Sequence, residues 1–327
     1  MPTLQNQIEA RTTAMIKLNP LRSLTLTQPL GDNPHAHLSA ASGLIKLGDW
    51  FFVLADDEKF ISVFQHNNPA PGVAHRIIKG DFPQDTEARK KIKHDFEVIT
   101  LLPISTQYPC GALLILGSGS AKKRKQGAII PFVETPNTTT TPILGKVDII
   151  DLDPLYDAFK DEPGKINIEG AVIVDKHIFL LQRGNKNNHN AIIKIKLKDF
   201  LATVTGKNND TPKYQLTHFN LGDIAGIPLC FTDATALQDG CILFTAAAED
   251  TSDAYTDGAC VGSAIGIINT QGELVRITPV DVPIKLEGIE AEWVGERINL
   301  WLVTDPDNAA LPGQMYEAVI SLSCSAG

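Results

Sequence analysis

Sulfur and aromatic rings are scarce in this chain. Its five cysteines, Cys110, Cys230, Cys241, Cys260 and Cys324, are odd in number, scattered, and include no Cys-x-x-Cys pair. That spacing argues against a disulfide framework and a thiolate metal site, and leaves most of them as small buried hydrophobes. With 6% aromatic residues and a formal net charge of −9, the chain has neither stacking platforms nor a basic field, so nucleic acid is not expected as a partner. No stretch approaches the roughly 18 consecutive apolar residues of a membrane span. Glu9 and Arg11 interrupt the N-terminus where a signal-peptide core would lie, which predicts a cytoplasmic protein without membrane association. Several catalytic signatures are missing too: no Gly-rich phosphate loop, no Gly-x-Ser-x-Gly elbow and no His-Glu-x-x-His helix.

What the chain has is a repeat. Five short openings, Ala41-Ser42-Gly43-Leu44, Phe96-Glu97-Val98-Ile99, Ile168-Glu169-Gly170-Ala171, Thr232-Asp233-Ala234-Thr235 and Leu286-Glu287-Gly288-Ile289, each lead into a strongly apolar run such as Trp50-Phe51-Phe52-Val53-Leu54 or Ala112-Leu113-Leu114-Ile115-Leu116. A third and then a fourth strand-like run follow. A strand-built repeat of this length is the signature of a β-propeller. The last unit reaches the end of the sequence without a fourth strand, and an unclaimed strand, Leu21-Arg22-Ser23-Leu24-Thr25-Leu26, lies near the start. Used as the outer strand of the last blade, it closes the ring and protects its edges. The prediction is an all-β, five-bladed propeller filling residues 1–327 as one domain, with residues 1–20 open to being a flexible segment. Six blades stand as the alternative if two units are merged between Glu97 and Glu169. Two short helices, at Asp153–Phe159 with an Asp cap and Pro154 in its first turn, and at Leu197–Ala202, read as excursions between blades.

Aligning the openings places Ser42, Glu97, Glu169, Asp233 and Glu287 at one position of the innermost strand, facing the central channel. Four carboxylates converging on one axis repel by roughly 3 kcal/mol per pair at about 5 Å and an effective dielectric of about 20. Either some are protonated or a cation sits among them. An all-oxygen donor set favours a hard ion, Ca²⁺ first and Mg²⁺ second. Asp95, Asn167, Lys285 and Glu290 fall on neighbouring levels of the same strands, and Asp95 with Glu97, Glu169, Asp233 and Glu287 make up the five candidate metal ligands. The acids could instead hydrogen-bond amides of adjacent blades, with any metal a plug.

Cations lie on the same face. Arg183 ends a second strand in Leu181-Gln182-Arg183-Gly184-Asn185, followed by Lys186 and His189, and blade two carries Lys122-Lys123-Arg124-Lys125 in the equivalent loop. Arg183, Asn185, Lys122, Lys123 and Arg124 are therefore candidates to bind a small anionic molecule, with Arg183 and His189 as candidate catalytic groups. A Lys-Arg run is also what a solvated loop or an acidic protein partner's docking site looks like.

The phrases Asn167-Ile168-Glu169-Gly170, Lys285-Leu286-Glu287-Gly288-Ile289-Glu290 and Leu181-Gln182-Arg183-Gly184-Asn185 resemble the Glu-Gly inner-strand phrases of bacterial phytase-like propellers, the esterase-like phytase domains. The resemblance covers most of the chain as a pattern and implies a calcium-associated propeller with phosphoester or ester hydrolysis. Ser42 and Asp233 depart from the Glu-Gly form. Two functions are carried forward: a metal-dependent hydrolase of a small anionic ester, and a non-catalytic propeller that binds a ligand or protein around a structural metal.

Overall fold

The computed structural model describes residues 15–31, 33–80, 82–83, 85–136, 140–159, 162, 164–184, 189–207, 211–250 and 259–321. Period-2 apolar runs become strands, and five antiparallel sheets form five blades. Blade one contains β2 (Ala41–Leu47), β3 (Trp50–Ala55), β4 (Phe60–Gln65) and β5 (Val73–Arg76). Blade two contains β6 (Phe96–Leu102), β7 (Ala112–Gly117), β8 (Gln126–Pro131) and β9 (Asp148–Asp151). Blade three contains β10 (Ile168–Val174), β11 (His177–Gln182), β12 (Asn190–Lys196) and β13 (Tyr214–Phe219). Blade four contains β15 (Ile227–Ala236), β16 (Ile242–Asp250), β17 (Ala259–Ile268) and β18 (Leu274–Pro279), with a short extra strand β14 (Asp223–Ile224) hairpinned onto β15. Blade five contains β19 (Leu286–Val294), β20 (Arg297–Thr304) and β21 (Gln314–Ser321). The N-terminal strand β1 (Asn19–Ser23) pairs antiparallel with β21, so the ring closes as expected and the six-bladed alternative falls. The closing strand is earlier than the Leu21–Leu26 expected. Leu24 and Leu26 run on into the interior between blades five and one, where both are buried.

Central strands bury both faces, as β7 does along its whole length, because each blade is packed between two others. Helices are confined to connections. Helix α1 (Thr86–Ile92) precedes β6, α2 (Asp153–Asp157) follows β9 and α3 (Leu197–Val204) follows β12. Helix α1 was not expected; Asp85 caps it by accepting from the Ala88 amide at 2.8 Å. In α2 the cap position is Leu152 rather than an Asp, and Asp153 sits in the first turn with Pro154. None of the helices among the described residues is long and apolar enough to cross a membrane.

One irregularity recurs at all five openings. The inner strand loses register against its neighbour between Ala41 and Gly43, Phe96 and Val98, Ile168 and Gly170, Phe231 and Asp233, and Leu286 and Gly288. Each is a bulge that turns one residue out of the ladder at the channel mouth. The residue after the bulge sets how closely the next inner strand approaches. A Cβ on Gly170 would stand 3.0 Å from the Asp233 Cα, and one on Gly288 would stand 2.9 Å from the Leu44 Cβ. The Glu-Gly phrase thus has a packing cause.

Candidate functional site: the channel mouth

The five bulged residues are Ser42, Glu97, Glu169, Thr232 and Glu287. Thr232, not Asp233, is the fourth member, which corrects the sequence alignment by one residue. The two hydroxyls do the same job: Ser42 Oγ donates to the Phe96 carbonyl at 2.7 Å, and Thr232 Oγ1 donates to the Leu286 carbonyl at 2.8 Å. Each ties its blade to the residue before the next blade's bulge. Asp233 lies one position deeper, where its Oδ2 accepts the Ile289 amide at 3.0 Å. It is an inter-blade staple between blades four and five. Burial, against the opposing amide bonds from Ile289 and Ala234, raises its pKa well above the carboxylate range.

Around the three bulged glutamates, loops at the same end add further charge. Lys93, the C-cap of α1, pairs with Asp56 in the turn after β3 and with Asp95 at 2.8 Å. Asp95 also takes Arg124 at 2.8 Å and Ser118 Oγ at 2.5 Å, and Arg124 reaches Ser120 Oγ at 2.9 Å. Arg183 joins Glu169, at 3.5 Å, to Glu249. Lys285 stands among Glu249 and Glu287 at 3.0 Å each, Asp307 at 3.3 Å and Asp305 at 3.5 Å. Among the described residues, eight carboxylates (Asp56, Asp95, Glu97, Glu169, Glu249, Glu287, Asp305, Asp307) therefore share four cations (Lys93, Arg124, Arg183, Lys285). The surplus is negative, as the sequence suggested, but its cations come mostly from positions beside the acids.

The surplus shows in the protonation equilibria. At Asp95 burial favours the neutral acid, but Lys93 and Arg124 outweigh it and hold the carboxyl below its ordinary value. Burial pushes Glu169 up to about 7, although Arg183 pulls it down. Lys285 is shared among Glu249, Glu287, Asp305 and Asp307, and burial carries Asp305 to about 8 and Glu287 well above the carboxylate range despite it; at Glu249 burial is outweighed by Arg183 and Lys285, which hold it below its ordinary value. Burial followed by the charges of Glu169 and Asp95 raises Glu97 strongly. Glu97 is partly exposed, and no hydrogen bond or ion pair reaches its carboxylate among the described residues. Asp95 adopts a left-handed backbone with φ of 55°. That conformation is uncommon for a residue other than glycine, and strain of this kind concentrates at functional sites.

The expected metal ring is not brought together as five. Asp56, Asp95 and Glu97 each offer an oxygen within 4.8 Å of the others, while Glu169 and Glu287 are engaged by Arg183 and Lys285. Asp56 is the member the alignment passed over, because it comes from the end of a second strand. The expected cation cluster is divided as well. Lys122 and Lys123 are exposed on a short 3-10 turn, Arg124 turns inward to Asp95, and Lys125 pairs with Asp153 and Asp157. His189 is exposed and packs edge-on against His218 of the outermost strand, with ring centroids 5.5 Å apart. That contact places it beside the outer strand of blade three. Asn185 lies outside the described residues.

The sheet topology defines the class, a β-propeller. The chain belongs to the family of unknown function DUF6929, whose model matches residues 37–320. No curated protein matches it. Among solved structures, a variant of B. megaterium levansucrase is 10% identical with a TM-score of 0.50, covering 98% of this chain and 92% of that one. A hypothetical protein from Leishmania major is 10% identical with a TM-score of 0.43, over 98% and 94% of the two chains. A gluconolactonase from Xanthomonas campestris is 8% identical with a TM-score of 0.38, over 82% and 68%. Identities this low speak to fold alone. The resemblance to phytase-like propellers therefore holds at the level of the propeller, and the family is DUF6929.

Proposed function

We propose that the channel mouth is a divalent-cation site, Ca²⁺ first, in a hydrolase of a small anionic ester. The observation that carries this is the trio Asp56, Asp95 and Glu97, three carboxylates gathered within 4.8 Å at the same mouth as Glu169, Glu287 and Asp305, whose carboxyls burial raises despite their cations. The donor set suits the ion: all carboxylate oxygen, with partial exposure at Glu97 for water to complete a shell of six to eight. The ion would supply Lewis-acid polarisation of an ester oxygen.

The chain's own residues supply the rest. Glu169, held by Asn167 Nδ2 and Arg183 and brought to about 7, is poised to take up or release a proton near neutrality. Arg183 fixes the Glu169 carboxylate rather than standing free for substrate. Lys122 and Lys123, exposed beyond Arg124, are the cations left to meet the acidic end of a ligand. A panel of phosphate esters and lactones, assayed with added calcium and with chelator, tests the reading. Calcium-dependent turnover that falls at least a hundredfold in Glu169→Gln is expected. Calcium that raises the melting temperature without supporting turnover would reject the hydrolase.

A specific observation favours that second outcome. Of the four cations at the mouth, all but Arg124 join two blades: Lys93 blades one and two, Arg183 three and four, Lys285 four and five. A ring of this kind would also serve a non-catalytic binding propeller.

A further inference from the structure

The trio already contains a cation, and the chain provides it. The Lys93 ammonium lies against Asp56 and 2.8 Å from Asp95 Oδ1, two of the three carboxylates that gather within 4.8 Å. Its side chain is largely buried, at 15% exposure. Lys93 is not part of a blade strand: it belongs to the connection before β6, as the C-cap of α1, with its amide on the Arg89 carbonyl at 2.8 Å. Helix α1 is seven residues long, too short to be stable on its own. On the channel side its hold includes Arg89, 3.4 Å from Asp57 and 3.9 Å from Glu58, besides Lys93 itself.

We propose that Lys93 is a tethered competitor for the cation site: a divalent ion binds Asp56, Asp95 and Glu97 only as the Lys93 side chain leaves, and its departure loosens the C-terminal end of α1. This rests on the cation reading above. The physical cause is that an ammonium and a divalent ion cannot share the same carboxylate oxygens at hydrogen-bond distance, because their repulsion grows as the space between them dries. Releasing Lys93 removes one of the few bonds that fix the helix end. Cation occupancy is thereby coupled to the segment that leads into β6, and the affinity of the site is set below what three carboxylates alone would give.

Two measurements on the full chain test this. Calcium titration by calorimetry compares wild type with Lys93→Met. Hydrogen exchange of the amides of residues 91–94 compares wild type with and without saturating calcium, and needs no variant. At least tenfold tighter calcium binding by Lys93→Met, with faster exchange at 91–94 in calcium-loaded wild type, is expected. Binding by Lys93→Met alone would be the strongest form of the same result. If wild type binds calcium and Lys93→Met binds no tighter, or if exchange at 91–94 is unchanged or slowed, the competitor is wrong while the cation site stands. If neither protein binds calcium, both readings fall.

Discussion

Ser42 and Thr232 show how much a single bulged side chain contributes to the ring. Each hydroxyl satisfies a buried carbonyl of the next blade, so Ser42→Ala or Thr232→Val leaves that carbonyl without its partner and is expected to cost about 1–2 kcal/mol, read from urea unfolding. Asp233 is a different case, because its staple is made by a carboxylate that burial disfavours. A carboxyl whose pKa rises on folding is fully tolerated below its unfolded value of about 3.9 and destabilises progressively as pH climbs toward the folded value. Asp233→Asn keeps an acceptor for the Ile289 amide and removes the titration. Its melting temperature is expected to depend less on pH between 4 and 8 than that of wild type; an unchanged slope would mean that Asp233 is not the buried acid responsible. That Asp233 and Thr232 exchange roles was not legible in the sequence, since a bulge breaks the alternation that would tell neighbours apart. The one available signal was the hydroxyl of Ser42, which Thr232 matches and Asp233 does not.

The strands were legible element by element because their apolar alternation is strong and repeated. Helix α1 was not: it is seven residues long, lacks an amphipathic stripe, and owes its place to Asp85 at one end and to Arg89 and Lys93 reaching acids at the other. Lys93 could therefore not be foreseen as part of the site. The acids under this helix set a pH dependence of their own. Burial, reinforced by Asp57, raises Glu58 to about 7, against hydrogen bonding from Asn33. By the same sign, stability contributed by this corner is greatest below about 4.3 and is lost as pH rises through about 7. Glu58→Gln retains the Asn33 contact and is expected to flatten that decline in thermal unfolding measured across the window. A variant that declines as wild type does would remove Glu58 from the account.

At the scale of the whole molecule, ring closure and inner-strand contact are the governing constraints. The closing strand is fastened at its pairing with β21 and again by Arg22, whose guanidinium donates to the carbonyls of Asn68 and Ala70 in blade one. Leu24 follows it, wholly buried, and Leu24→Ala is expected to cost 2–5 kcal/mol of unfolding free energy. A loss below 1 kcal/mol would mean that closure does not depend on it. Five blades and their closure followed from the sequence because every blade needs the same apolar pattern. The charge pattern at the mouth followed only in part: second-strand ends recur from blade to blade and carry Asp56, Arg183, Glu249 and Asp305, whereas Lys93 and Arg124 come from a helix cap and a 3-10 turn that the repeat does not supply. The most direct test of the central claim is a calcium titration by calorimetry on wild type and Glu97→Gln, the partly exposed member of the trio that no ion pair reaches among the described residues. One bound calcium per chain, weakened at least tenfold by the substitution, is the expected result; no binding by wild type or by Lys93→Met, or binding indifferent to Glu97→Gln, would contradict the cation site and leave the acids as the fabric of the ring.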